Sequence, residues 1–392
     1  MSYLEYTLEE LGTVNRGRSK HRPRDDERLY GGQYPFIQTA DVKNASLYIT
    51  SNSQTYNEAG LAQSKLWGIG TLCITIAANI ADTAILTFPA CFPDSILGFI
   101  PYSDKADVKY IKYCFDILQK SFQTISHGAT QDNLSIDKLL TVKFKIPSLP
   151  IQKRTADILS TYDDLIENNR KQIALLEETA QRFYKEWFVD FRFPGHEITK
   201  FVDGLPKDWK TMNLSDIADI VMGQSPKSEF YNQNNDGLPF HQGVGSYGTR
   251  FVVDNTYSTS YTRIANPGDI LFSVRAPVGR LNITKHKIVI GRGLAAITHK
   301  AGLQSLLFYM LKERFYKDDI IGNGSIFASI SKDELLEQKF LVPPNIIADQ
   351  FNKISGLMDI KIAQLDEQLR LSSIARNALL PKLMTPRIEG MS

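Results

Sequence analysis

Three sets of residues in this chain are spaced for chemistry, and two of them dissolve on inspection. Gly243-Val244-Gly245-Ser246-Tyr247-Gly248 has the glycine spacing of a dinucleotide-binding loop, but that fingerprint needs a helix opening at the glycines. Here Thr249-Arg250-Phe251-Val252-Val253 reads as a strand, so the glycines mark a turn. The same segment has Thr249-Arg250 where a phosphate loop needs Lys followed by Ser or Thr. Glu337 and Lys339, with Asp333 upstream, resemble the carboxylate–lysine pattern of a nuclease. The corresponding earlier stretch has Thr141 before Lys143 and lacks the carboxylate, so a solvated helix end followed by a strand accounts for them. No GxSxG, no HExxH and no Asp/Asn-Pro-Pro-aromatic tetrapeptide of amino-methyltransferases occurs. The three cysteines, Cys73, Cys91 and Cys114, are widely spaced, and the six histidines form no HxxxH pair. Neither zinc nor a disulfide framework is expected, and a reducing cytoplasm is the simplest setting.

The third set is a collection of hydrogen-bond donors suited to DNA. In the N-terminal part these are Arg16, Arg18, Lys20, Arg22 and Arg24 in one loop, with Gln33 and Gln38 near a strand. In the later part they are Gln224, Ser225, Lys227, His241, Gln242, Arg250, Arg275, Arg280 and Arg292. Arginine can grip guanine bidentately and glutamine can grip adenine, whereas lysine mostly positions on phosphate. Asp25, Asp26 and Glu27 follow the first loop and dilute its charge.

The elements that must position these donors are dominated by a long helix. Residues 151–190 contain no Gly or Pro. Leu159, Ile166, Ile173, Ala180 and Trp187 recur every seventh residue, and Tyr162, Asn169, Leu176 and Phe183 form a second row, which is coiled-coil spacing. A helix of about 38 residues is about 57 Å long, and one apolar stripe on so long a rod needs a partner. The partner is expected between Ile347 and Met384, where Met358, Ile362, Leu365, Leu369, Leu379 and Leu383 carry a similar series. Ile354, Asp359 and Ile362 stand at a fixed offset from Ile158, Asp163 and Ile166. Ser372 and Arg376 fall on the expected seam, so this second rod reads as the looser one. Asn169 reads as a register-setting polar residue.

The chain is a tandem repeat. Leu214–Ile217 echoes Leu8–Leu11, Gly223-Gln224-Ser225 stands where Gly17-Arg18-Ser19 stood, and Pro239-Phe240 matches Pro35-Phe36. Gly268–Val274 matches Gly70–Ile76, and the stretch from Gly324 to Pro343 parallels that from Gly128 to Pro147. Strands are expected at Tyr34–Gln38, Leu72–Ala77, Ala84–Phe88 and Val142–Ile146, and helices at Asp107–Gln123 and Ser135–Leu140. The expected fold is α+β: a recognition domain at 1–150, a spacer helix at 151–192, a linker at 193–207, a second domain at 208–344 and a second spacer helix at 345–392. The rods pair most simply as an antiparallel intramolecular coiled coil with pseudo-two-fold symmetry. Heads about 57 Å apart would meet DNA about one and a half turns apart. Their polar residues differ, so they would read different bases.

Composition limits the partners little. With 43% hydrophobic and 22% charged residues the 392-residue chain is ordinary globular protein. A net charge of +2 is too small to establish a nucleic-acid partner, so only local patches argue for one. Glu5, Glu9 and Glu10 sit where a secretory signal would be apolar. The apolar run Trp67–Ala81 is too short to span a bilayer and reads as a buried strand.

The stretches Leu159–Asn169 (LSTYDDLIENN), Trp187–Gly195 (WFVDFRFPG), Leu205–Trp209 (LPKDW) and Gly268–Val274 (GDILFSV) resemble the specificity subunits of type I restriction-modification systems. The resemblance covers the whole chain in the family's order of recognition domain, spacer, recognition domain, spacer. It implies a non-catalytic reader of double-stranded DNA that takes one half of an asymmetric bipartite target per domain. It also implies two partner methyltransferase subunits that use S-adenosylmethionine, and restriction subunits that use ATP, with no cofactor held by this chain. A methyltransferase acting on adenine must extrude its base. The rival readings are an enzyme acting on DNA, which would need a carboxylate pair or methyl-donor motif, and a coiled-coil adaptor that binds only protein.

Overall fold

The computed structural model describes residues 3–76, 81–126, 136–316 and 329–384. Residues 128–135 and 324–328 of the paired repeat segments, and the end of the expected strand at Ala77, lie outside the described residues. The chain divides into two compact units, Met1–Gln172 with Leu365–Ser392, and Ile173–Gln364.

In the first unit five strands form one sheet: β1 (Gly12–Arg16), β2 (Tyr48–Ile49), β3 (Leu72–Thr75), β4 (Thr83–Leu86) and β5 (Ile96–Pro101), in the order β1-β5-β3-β4-β2. Every residue of β3 is buried because both sheet faces are covered. Leu72 and Ile74 point into a core with Phe99, Tyr110 and Phe115, while Cys73 points the other way towards Trp67 and Phe92. Trp67 stacks on Phe92 at 4.8 Å between centroids. A Cβ at Gly98 would sit 2.5 Å from the Trp67 ring, so only glycine lets the sheet accept the indole. Helix α1 (Val108–Ser126) covers the first face. It opens at Asp107, whose Oδ1 accepts the Tyr110 N–H at 3.0 Å.

The second unit repeats the plan. Strands β6 (Ala218–Met222), β7 (Ile270–Ser273), β8 (Leu281–Ile283) and β9 (Leu294–His299) lie in the order β6-β9-β7-β8. The pairing Ile270↔Ile297 repeats Leu72↔Phe99. Each unit also closes its ends with a two-stranded ladder, Leu4–Tyr6 on Phe144–Ile146 and Lys210–Asn213 on Lys339–Val342. The short helices Leu8–Leu11 and Leu214–Ile217 lie where the repeat places them. The strand expected at residues 249–253 is not formed. Phe251 and Val252 make only single bridges, to Ile283 and Tyr247, because the segment turns after Gly248 to bring Arg250 inward.

Two helices are long: α2 (Leu149–Phe188) and α4 (Asn345–Met384), each 40 residues, with α3 (Gln304–Tyr316) between them in the sequence. Pro150 occupies the first turn of α2, where a missing N–H costs nothing. Within the first unit, Ala156 and Leu159 of α2 share a core with Leu380 and Met384 of α4. Within the second, Phe183 stacks on Phe351 at 4.9 Å and Phe188 meets it edge-on at 4.8 Å. There, one guanidinium bridges Glu177 and Asp359, so α2 advances as α4 retreats and the pairing is antiparallel.

Leu159, Asn169, Ile166, Ile173, Ala180 and Trp187 are buried on α2, and Ile362 and Leu365 on α4; Tyr162, Leu176, Phe183, Met358, Leu369 and Leu379 are half-buried. At the expected loosening a cavity of about 710 Å³ opens, lined by Asp163, Ile166 and Arg170 of α2 and by Ser373, Arg376, Asn377 and Leu380 of α4. Beside it Ser372 is buried, and the Arg376 guanidinium is held by two carboxylates, Asp116 and Asp163.

Candidate nucleic-acid interface

The donors of the first unit sit on a loop fixed by its backbone. After β1, Gly17 N–H donates to Ile96 O at 2.8 Å and Arg18 N–H to Phe92 O at 2.9 Å. A Cβ on Gly17 would lie 2.2 Å from the Pro93 carbonyl oxygen, which explains the glycine. Ser64 Oγ donates to Arg18 O at 2.6 Å, and Ser19 packs inward against the Tyr56 hydroxyl. Arg16, Arg18 and Lys20 are exposed. Arg22 turns back, its Nη1 donating to Ser19 O at 2.8 Å and His21 O at 2.7 Å. Arg24 pairs with Asp94 at 2.6 Å. Asp26 is taken by Arg28, whose guanidinium holds its carboxyl well below the usual carboxylate range, and by His21 at 2.7 Å. Gln38 donates to Gln54, and the two share a groove of about 580 Å³ with Arg24, Asp25, Glu27 and Tyr30. Gln33 is exposed and donates to the Tyr34 hydroxyl at 3.2 Å.

The second unit presents its donors on matching loops. Gly223 N–H donates to Leu294 O and Gln224 N–H to Ile290 O, both at 2.9 Å. Gln224, Lys227, Gln242, Arg275 and Arg292 are exposed, while Ser225 and Arg280 are half-buried. Lys227 lies 3.8 Å from Glu229. Gln242, Arg275 and Arg292 line one recess of about 140 Å³ with Gly243, Val244, Ser273, Ala276 and Gly293.

Two candidates are corrected. His241 is 1% exposed, with Nδ1 on Ser246 Oγ at 2.8 Å and Nε2 on Asp254 at 3.0 Å. Asp254 also holds His286 at 2.9 Å, so this imidazole is committed to the domain's interior. Arg250 is 2% exposed. Its guanidinium lies 3.5 Å over the Phe308 ring and pairs with Asp359 and with Glu177 at 3.7 Å. Neither side chain faces solvent, and neither can touch a nucleic acid.

The polar clusters on the long helices were not singled out in the sequence, although the Asp163/Asp359 offset pointed to them. In the first unit Tyr113 donates to Asp163 at 2.6 Å, and Arg376 reaches Asp163 at 3.2 Å and Asp116 at 2.7 Å. Burial, with the Asp163 carboxylate beside it, pushes the Tyr113 phenol far up. In the second unit Tyr309 donates to Asp359 at 3.4 Å, and Arg250 supplies the cation. Burial lowers the nearby Lys312 ammonium, against the pull of Glu177 at 3.7 Å.

The rejected motifs remain unremarkable. Val244–Ser246 is a single 3₁₀ turn with no helix following. Lys332–Leu336 is a helix capped by Ser331, followed by the strand at Lys339. Among the described residues no group of His, Cys, Asp and Glu could hold a metal ion, and no helix is long and apolar enough to cross a membrane.

The family model of the type I restriction modification DNA specificity domain matches residues 3–178 and 206–367. A Methanocaldococcus jannaschii protein, the putative type I restriction enzyme MjaX specificity subunit, is 32% identical over 298 residues, covering 73% of this chain and 70% of that one. The MjaIX specificity subunit of the same organism is 27% identical over 379 residues, covering 91% and 87%. The solved S subunit of a type I restriction-modification system from M. genitalium shares the fold, with a TM-score of 0.68 over 98% of this chain and 97% of that one at 17% identity.

Proposed function

Because the chain belongs to the type I restriction-modification DNA specificity family, we propose that it is the DNA sequence-recognition subunit of such a system. Each recognition domain reads one half of an asymmetric bipartite target. The long helices set the gap and dock two adenine methyltransferase subunits, which restriction subunits join. S-adenosylmethionine and ATP belong to those partners, and this chain contributes no catalytic group. Its cysteines are free, in keeping with a cytoplasmic protein.

One observation carries this reading. Two sheets that share the order of four strands present equivalent loops armed with different side chains, Arg18 against Gln224 and Asp94 against Arg292. A repeated scaffold with unlike donors is what reading two unlike half-sites requires. Docking of protein partners is supported by large apolar side chains left on the outside of α4. In the second unit Leu357 is 65% and Ile360 57% exposed; in the first, Leu371 and Ile374 are exposed.

The test is competitive binding by the chain with its methyltransferase partner, on a duplex library at stated, moderate salt. A two-part motif with a fixed gap is expected. Equal affinity for all sequences would overturn the reading. Cleavage or methyl transfer by this chain alone would restore the enzymatic alternative, and unchanged DNA affinity after neutralising Arg16, Arg18 and Lys20 would favour an adaptor.

A further inference from the structure

Resting on that reading, we propose that Arg292 is a specificity-determining residue of the second recognition domain, reading a guanine through the major groove from the recess it shares with Arg275 and Gln242. Its counterpart in the first domain is Asp94, so the two domains present opposite charges at this equivalent position.

The equivalence of the two positions comes from the backbone. Phe92 O accepts from Arg18 and Ile290 O accepts from Gln224, and Asp94 and Arg292 each follow two residues later. The surroundings differ in charge. In the first domain the carboxylate is already neutralised, by Arg24 at 2.6 Å and Arg22 at 3.9 Å. In the second, Arg275 and Arg292 have no carboxylate partner among the described residues, and both are exposed. Their forked donors are therefore not spent on any described carboxylate.

Their backbone placement is fixed, although among the described residues no carboxylate holds either side chain. Arg292 N–H donates to Ser225 Oγ at 3.3 Å, Gly293 N–H to Gln242 O at 3.2 Å, Gly291 N–H to His241 O at 2.8 Å and Val274 N–H to Gly293 O at 3.0 Å. Four loops are thus laced into one surface. A Cβ on Gly293 would lie 2.4 Å from Gln242 O, so the glycine is what lets the loops approach. A phosphate accepts any cation and needs no such convergence. Two guanidiniums and a carboxamide around one small recess match the edge of a G·C pair next to an adenine, because arginine satisfies guanine O6 and N7 together and glutamine satisfies adenine N6 and N7.

The experiment uses the full chain bound to its methyltransferase partner and a duplex library randomised in both half-sites, with wild type, Arg292→Ala and Arg292→Lys compared at two salt concentrations. Wild type is expected to select a guanine in one half-site that Arg292→Ala ceases to prefer, by about ten- to a hundredfold. Arg292→Lys keeps the charge but not the fork, and is expected to restore affinity without that preference. The other half-site should stay unchanged, and matching melting temperatures establish that the variants are folded. A uniform loss of affinity with a shallower salt dependence and an unaltered motif would identify a phosphate contact and overturn the proposal. So would a guanine preference that survives in either variant. If wild type selects a motif and only the Arg292 result fails, the recognition role stands; if wild type selects none, both fall.

Discussion

Arg250 and Arg292 look alike in the sequence and lie in opposite surroundings. Both are arginines in polar loops of the same domain, and side-chain chemistry alone makes each a guanine reader. Arg250 is enclosed by Phe308, Asp359 and Glu177, whereas Arg292 is open. The difference is invisible in the sequence because the carboxylates that claim Arg250 lie on two helices far away along the chain. His241 was misread for the same reason, its partners being set by how residues 246 and 254 fold around it. Removing one member of a buried ion pair strands the others. Arg250→Gln should therefore destabilise the second unit by about 3 kcal/mol in urea unfolding. The base preference of the folded protein should be left alone, and adding Asp359→Asn should recover part of the loss, measurable as a coupling energy. A changed motif with unchanged stability would contradict the buried placement.

At the level of elements the sequence was far more legible. Period-seven apolar residues placed α2 to within two residues at its start and four at its end, since a stripe that long has no other regular solution. The buried strands at Leu72–Thr75 and Ile270–Ser273 were legible as apolar runs beside glycine. What escaped was the ion cluster beside the loosened seam. Ser372 and Arg376 marked a weakness of α4, but not that a guanidinium can occupy a helix contact there when Asp116 and Asp163 face it. Phe351 was overlooked too, although it lies one heptad before Met358. It is fully buried and touches Phe183, Tyr184, Trp187, Phe188 and Tyr309. Phe351→Ala should cost about 4 kcal/mol by opening a cavity among those rings, seen as an earlier denaturant midpoint. Leu357→Ala, on an exposed position of the same helix, should cost little in the isolated chain.

At the scale of the whole molecule the repeat itself was readable, because matched glycines, prolines and capping turns survive where polar loops diverge. The order of strands agrees with it, four strands of the first sheet recurring in the same order in the second. The proposed use of the helices as a ruler is open to a direct test. Inserting one heptad into both α2 and α4 lengthens each by about 10 Å while keeping the apolar stripe in phase. The preferred gap between half-sites should widen by about three base pairs in the binding selection. An unchanged gap would show that something other than helix length sets it.

Asp163 and Asp359 occupy corresponding points on α2 and α4 but draw their cations from different places. Asp163 is served by Arg376, a residue of the opposite helix, while Asp359 is served by Arg250, which belongs to the recognition domain itself. Recombination that swaps residues 1–150 for a foreign module would leave the Arg376–Asp163 bond in place. Swapping residues 208–344 would remove Arg250 and leave Glu177 and Asp359 facing each other uncompensated. The second position should thus accept only replacement domains that bring their own positive charge to that spot, a demand the first position does not make.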